Sequence, residues 1–136
     1  MDRRRHTTLI LLTASAMLVG CADRSTYVRQ GRTGVEARYD GDDLQADLPP
    51  DVPVPSVIAA GEQVLVRRGH SITASETSGQ RGRVVGRPGG KRLHRKVEIH
   101  ARQVPGATRV WVEVVPLGDE AGSRSILEDM LIRLGF

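Results

Sequence analysis

The feature that most constrains the fold is a strict alternation of apolar and polar residues in two segments near the end of the chain, "KVEIHAR" and "TRVWVEVV". Successive side chains of a β-strand point to opposite faces, so each segment presents an aliphatic row on one side and a polar row on the other. The intervening "VPGA" is typical of a tight turn. The two segments therefore predict an antiparallel hairpin with one buried face. On its outer face this hairpin sets His100 opposite Trp111 and Arg102 opposite Arg109.

Four further segments also have the pattern of short strands. Residues 35–48 contain two alternating runs separated by "DGDD", and Asp-Gly favours the tight turn of a second hairpin. "HSITASE" alternates at Ile72 and Ala74, and "GRVVGR" is a short run interrupted by Gly86. The sequence thus predicts strands both before and after its central segment.

Two segments have helical periodicity. From about Ser56 to Arg68 the apolar residues fall on one face, and Gly69 favours a left-handed helix end. In the last segment, Asp119 and Glu120 stand at the start, where acidic groups stabilise the exposed backbone amides. Its apolar stripe, which we interpret as core, consists of Ile126, Leu127, Met130, Leu131 and Leu134.

The order of these elements predicts an α+β fold. The chain has 136 residues, 39% of them hydrophobic and 26% charged, which is typical of one globular domain and excludes wholesale disorder. Aromatic residues make up only 3%, so the core must be aliphatic. We expect a two-layer sandwich in which an antiparallel sheet of about four to six strands is covered on one face by two helices. The other face is left to water or to a partner.

The first 21 residues resemble the signal of a bacterial lipoprotein. A positive start, "RRRH", precedes an apolar run from Leu9 to Val19 that is shorter than the ~20 residues of a spanning helix. The run ends in "LVGC", which resembles a lipobox. This resemblance implies that Cys21, the single cysteine of the chain, carries a diacylglyceryl group and becomes the first mature residue. The alternative is a buried core cysteine in a cytosolic protein. That alternative does not explain why a signal-like apolar run, a lipobox-like motif and a polar segment follow one another here.

The expected organisation follows from this resemblance. Residues 1–20 form the lipoprotein signal peptide, residues 21–33 a lipidated tether, and residues 34–136 a single α+β domain. Two or three acyl chains hold a protein on a membrane, where one chain would not. In Gram-negative lipoproteins, alanine directly after the cysteine favours the outer membrane, and Ala22 stands there. We expect an envelope protein that is anchored by lipid to the outer membrane and faces the periplasm.

The mature chain resembles a group of small bacterial envelope lipoproteins that form a domain-of-unknown-function family. The likeness extends from about Val35 to Leu134, and it departs from the group at His70, where a tyrosine is expected, and at Pro53 and Pro55. It implies the fold and no activity. The residues that carry it are Gly69, His70, Ile72, Thr108, Val110, Val112, Gly118, Asp119, Glu120, Ser123, Ile126 and Leu127.

Motifs of enzymes and cofactor sites are absent from the sequence. It contains no HExxH, CxxC or Gly-x-Ser-x-Gly pattern, and "GRPGG" lacks the lysine and hydroxyl of a phosphate loop. The cluster Asp40, Asp42 and Asp43 lacks the spaced carboxylates and closing glutamate of a calcium loop, so we interpret it as a solvated turn. We therefore predict no enzyme, no metal and no cofactor.

The strongest functional signal is charge. Between Arg81 and Arg102 lie eight basic residues, and Glu98 is the only acid. One interpretation is a basic hairpin that binds an anionic lipid or an envelope protein, and the alternative is arginine that merely decorates exposed strands. Nucleic acid is not expected for an exported protein. We therefore predict a non-enzymatic envelope binding module or, alternatively, a structural accessory subunit of a larger envelope complex. The residues of the basic hairpin are Arg87, Lys91, Arg92, Arg95 and Lys96.

Overall fold

The computed structural model describes residues 25–90 and 95–136. Cys21, Lys91 and Arg92 lie outside these ranges. The described chain forms one sheet and two helices, α1 (Val54–Arg67) and α2 (Glu120–Leu134). The strands are β1 (Thr26–Gln30), β2 (Val35–Asp40), β3 (Asp43–Leu48), β4 (His70–Thr77), β5 (Arg81–Pro88), β6 (Lys96–Val104) and β7 (Ala107–Val115).

The sheet is antiparallel throughout, in the order β1-β2-β3-β7-β6-β5-β4. Helix α1 packs on β4, β5 and β6, and α2 packs on β7, β3 and β1 beside it. The predicted two-layer α+β sandwich is therefore confirmed, but the sheet has seven strands rather than four to six. Within the described ranges, neither helix is long and apolar enough to cross a membrane.

The additional strand is β1, which lies in the segment that the sequence assigns to the tether. Its attachment is polar. Gln30 is only 7% exposed, and its Nε2 donates to the carbonyl oxygen of Arg124 on α2 at 2.6 Å. The Arg124 guanidinium in turn donates to the carbonyl oxygen of Thr26 at 3.1 Å. Because α2 holds both ends of β1, residues 26–30 belong to the sheet, although the sequence pattern predicts them in the tether of residues 21–33.

The predicted hairpins form with the expected register. On the outer face of β6–β7, His100 pairs with Trp111 and Arg102 pairs with Arg109. The β2–β3 turn contains Gly41 with a φ of 74°, a backbone conformation that glycine adopts without strain. Strand β4 differs from its predicted alternation because a bulge separates Ile72 from Ala74. The two side chains therefore lie on opposite faces of the sheet.

The helices cover an aliphatic core. Helix α1 begins two residues earlier than predicted, since Pro55 is compatible with the first turn of a helix. It ends as expected before Gly69, whose φ is 82°. At the start of α2, Asp119 Oδ1 accepts from the backbone N–H of Gly122 at 2.9 Å. Met130 is 1% exposed, which confirms that the stripe of α2 is core.

Candidate binding surface

The outer face of the sheet, which the helices leave uncovered, carries its charges in three cross-strand rows. The first is an acidic row, with one residue each from β3, β7 and β6. A middle row lies next to it, and a basic row follows, closest to the end of the sheet where β5 begins. The acidic row is Asp43, Glu113 and Glu98; the middle row is Gln45, Trp111, His100 and Arg83; the basic row is Asp47, Arg109, Arg102 and Arg81.

Glu98 is the point at which the cations of the outer face converge. It accepts from Lys96 Nζ at 2.6 Å, from Arg83 NH2 at 2.9 Å, and lies 3.3 Å from His100 Nε2. Burial by itself disfavours its charge, but the hydrogen bonds from Lys96 and Arg83 outweigh that effect and lower the pKa of Glu98 to about 2. The only acid in the basic stretch of the sequence thus neutralises part of that stretch.

Within the described part of the chain, no ion pair engages the other two carboxyl groups of the acidic row, those of Asp43 and Glu113. Burial, followed by the charges of Asp42, Glu98 and Asp43, raises the pKa of Glu113. Burial and the neighbouring Asp42 and Asp40 raise the pKa of Asp43. Among the residues that the structure describes, no group of three or more His, Cys, Asp or Glu side chains could hold a metal ion.

The middle row presents the single tryptophan of the chain. Trp111 Nε1 donates to Gln45 Oε1 at 3.1 Å, which fixes the orientation of a half-buried indole ring. His100 lies directly beside it on β6. Trp111 therefore forms an oriented aromatic wall on an otherwise polar face.

The basic row contains one paired and two unpaired arginines. Arg109 binds Asp47 through two parallel hydrogen bonds of 2.7 and 2.9 Å. The hydrogen bond from Arg109 lowers the pKa of the Asp47 carboxyl. Arg81 and Arg102 face each other across β5–β6, and within residues 25–90 and 95–136 neither guanidinium has a carboxylate partner.

These two arginines border a groove of about 680 Å³ on the outer face. Arg83, His100 and Trp111 line its side towards the acidic row, and Ser78 of the β4–β5 turn lies at the opposite end. A volume of this size is in the range of small-molecule sites. The groove combines these two arginines and the aromatic wall with one carboxylate, that of Glu76 on β4, which lies opposite Arg83.

The basic hairpin predicted from the sequence is only partly described. Lys96 is engaged by Glu98, and Arg95 NH2 lies 3.4 Å from Asp119 Oδ2 at the start of α2. Arg87 is exposed near the end of β5. The structure thus brings Arg87, Arg95 and Lys96 to one end of the sheet. Lys91 and Arg92 belong to the connection between β5 and β6 and lie outside the described residues.

We call the end of the sheet where β1 begins the entry end. Because neighbouring strands alternate in direction, β5 also ends there and β6 also begins there. The acidic β2–β3 turn, with Asp40 and Asp42, lies at the entry end near β1. Leu117 follows β7 at the same end and is 89% exposed. The groove lies towards the opposite end, which we call the far end.

The unpaired Arg81 and Arg102 were part of the basic stretch in the sequence but not of the predicted site. The alternation of β6 and the predicted pairing of Arg102 with Arg109 already indicate that the Arg102 side chain points to the outer face. The register of β5 against β6, which places Arg81 opposite Arg102, could not be predicted from the sequence.

Comparison with known proteins gives no functional assignment. No protein-family model matches the chain, and no curated protein is significantly similar to it.

Proposed function

We propose that this protein is a non-enzymatic binding module of the bacterial cell envelope, held on the outer membrane by acyl chains on Cys21. The observation that carries the proposal is the position of β1. Its first residue, Thr26, is five residues after Cys21, and it lies at the end of the sheet that also bears the basic hairpin and Leu117.

The short connection determines which end of the domain faces the lipid. Five residues span at most about 18 Å when fully extended. Two or three acyl chains supply ~0.8 kcal/mol for each buried methylene, so the anchor would hold Cys21 at the membrane surface. The entry end then lies within reach of the headgroups, and the groove at the far end faces away from them.

The entry end is asymmetric in charge. Asp40 and Asp42 lie in the β2–β3 turn near β1, whereas the end of β5 is about 24 Å from β1, across five strand spacings. An anionic bilayer repels the acidic β2–β3 turn and attracts the basic hairpin. Each Lys or Arg near its surface contributes ~1 kcal/mol to this attraction. The domain would therefore tilt so that the basic hairpin and the exposed Leu117 approach the lipid.

A second candidate function is that of an accessory subunit in an envelope complex. The observation that favours it is the edge strand β1, on which Tyr27 is 58% and Val28 is 44% exposed. An edge strand has unpaired backbone groups that a strand of another protein can pair with. A stoichiometric protein partner recovered from membranes with the full chain, and lost on Val28→Pro, would favour this second function.

The anchor is tested by intact-mass analysis of the protein purified from membranes of the expressing bacterium. The expected species begins at Cys21 and carries the added mass of two or three acyl chains. Cys21→Ala should appear uncleaved and without the added mass, while Ser25→Ala should be processed normally. A wild-type species that begins at Met1 with an unmodified thiol would overturn the proposal.

The orientation is tested on the lipidated protein in vesicles. Trypsin cleaves after Lys91 and Arg92 in the basic hairpin, and after Arg32 in the β1–β2 turn at the far end. On vesicles containing anionic lipid, cleavage in the hairpin should slow about tenfold relative to neutral vesicles, because contact with headgroups covers it. Cleavage at Arg32 should be equal on both. Equal cleavage of the hairpin on both vesicle types would contradict the proposed orientation.

A further inference from the structure

We propose that the groove at the far end of the outer face binds a sugar phosphate, with the phosphate between Arg81 and Arg102 and the sugar ring against Trp111. This inference concerns a small-molecule site and is independent of the lipid anchor. It assigns a ligand class to a part of the protein that faces away from the membrane in the orientation proposed above.

The first argument is that the sheet holds two positive charges, those of Arg81 and Arg102, opposite each other, and no carboxylate of the described residues pairs with either. Arg81 and Arg102 are directly opposite on antiparallel strands, where like charges destabilise a sheet. The other cations around them are neutralised, since Arg83 binds Glu98 and Arg109 binds Asp47. The carboxylate that lines the groove, Glu76, lies opposite Arg83 and not opposite Arg81 or Arg102, so a bound anion would relieve the repulsion between these two arginines.

The backbone beneath these two arginines is fixed. Ser78 Oγ accepts from the backbone N–H of Arg81 at 3.2 Å, and the Ser78 N–H donates to the Arg81 carbonyl oxygen at 2.8 Å. The N–H of Gln103 donates to the carbonyl oxygen of Gln80 at 2.8 Å, which ties the β4–β5 turn to the end of β6. Because the strands are held in this way, only side-chain torsions need to change when a ligand binds.

The chemistry of the pair selects a tetrahedral oxyanion. Guanidinium groups present planar forks of N–H donors that bind phosphate through two parallel hydrogen bonds. Two such forks on adjacent strands can grip three or four phosphate oxygens from both sides. Arg83 lies in the next row, and Glu98 holds its guanidinium at 2.9 Å, so Arg83 is already engaged and the phosphate is left to Arg81 and Arg102.

The ring-binding part of the groove is Trp111. It is diagonal to Arg102 on the neighbouring strand, a separation of about 7–8 Å that long side chains can bridge. Its indole N–H is already bonded to Gln45, so the ring offers its apolar surface rather than its donor. His100 lies between Trp111 and Arg83 and can bond to a sugar hydroxyl. A ligand with a phosphate at one end and a hydroxylated ring at the other matches this order of groups.

The test uses the fluorescence of Trp111, which is the only tryptophan of the chain. The full chain in a neutral polyoxyethylene detergent is titrated with glucose 6-phosphate, inorganic phosphate and glucose. We expect saturable changes with glucose 6-phosphate, binding of inorganic phosphate about tenfold weaker, and no saturation with glucose. Equal affinity for the two phosphates would overturn the role of Trp111. The absence of any saturable change would overturn the site.

Two variants and one control connect the signal to the groove. Arg81→Gln and Arg102→Gln should each weaken binding of glucose 6-phosphate at least about tenfold. Their urea midpoints should stay equal to or above that of the wild type, because each removes one of two facing charges. Arg29→Gln changes an exposed arginine on the outer face of β1, far from the groove, and should leave affinity unchanged. Wild-type affinity in Arg102→Gln, or an equal loss in Arg29→Gln, would overturn the proposal.

Discussion

Glu98 on β6 and Glu113 on β7 lie directly opposite each other, yet their pKa values move in opposite directions. Lys96 and Arg83 surround Glu98 and lower its pKa to about 2 in spite of its burial. For Glu113, burial and the carboxylates of Asp42, Glu98 and Asp43 raise the pKa and outweigh the opposing effect of His100. One cross-strand pair therefore contains a carboxylate that supports the folded state and another that opposes it at neutral pH.

Replacing Glu98 by Gln should destabilise the protein at neutral pH by about 1–3 kcal/mol, because Arg83 and Lys96 lose their common partner. The folded pKa is about 2 and the reference value is 4.5. The stabilisation is thus complete above pH 4.5 and is lost as the pH falls from 4.5 towards 2. Urea unfolding at neutral pH measures the full stabilisation, and at about pH 3 it measures a reduced one. A difference between wild type and variant that does not shrink at the lower pH would contradict this account.

Replacing Glu113 by Gln should have the opposite effect and stabilise the protein at neutral pH by about 0.5–1 kcal/mol. A raised pKa means that the folded state disfavours the ionised carboxylate. The gain should disappear as the pH falls below the raised value, since the wild-type group is then protonated as well. Asp51→Asn, an exposed position in the connection before α1, is the matched control and should change little. A destabilised Glu113→Gln variant would show that this side chain has a partner.

Gly82 of β5 lies against Ile58 of α1. A methyl group at this position would overlap Ile58 Cγ1 and lie 3.2 Å from the Glu76 carbonyl oxygen. Ile58 is 2% exposed and has no room to withdraw. Gly82→Ala should therefore destabilise by about 1–3 kcal/mol in urea unfolding. A methyl group added at Gly79 would have no neighbour within 4 Å, so Gly79→Ala should change stability by no more than about 0.5 kcal/mol. Equal stabilities of the two variants would show that α1 can shift away from β5.

The parts of the fold that apolar periodicity specifies could be predicted from the sequence. Strands β6 and β7 alternate strictly, so their register, including His100 opposite Trp111, follows from the turn between them. Helix α2 has an apolar stripe and an acidic cap, and both lie where the sequence indicates. In each case a local pattern and a tertiary contact favour the same structure.

Elements that depend on distant polar contacts could not be predicted. Strand β1 has no apolar alternation; it pairs with β2 and is held against α2 by hydrogen bonds from Gln30 and Arg124, residues 94 positions apart. The bulge in β4 places Ala74 on the face opposite to Ile72, although the sequence alternates regularly there. The pairing of Arg81 with Arg102, and with it the groove, depends on the register of β5 against β6, which short-range sequence patterns do not fix.

Leu117 provides the sharpest test of which end of the domain approaches the lipid. It is 89% exposed, so its side chain contributes little to folding and would be the first apolar group to meet a bilayer at the entry end. In a Trp111→Phe background, Leu117→Trp should be quenched by brominated lipid in vesicles that carry the lipidated protein. Ile132→Trp in the same background is the matched control, because Ile132 is 41% exposed near the end of α2. It should be quenched far less, since α2 begins beside Thr26 at the entry end and ends beside Gly31 at the far end. Equal quenching at both positions would mean that the domain lies on its helices, and absent quenching at Leu117→Trp would place the entry end away from the lipid.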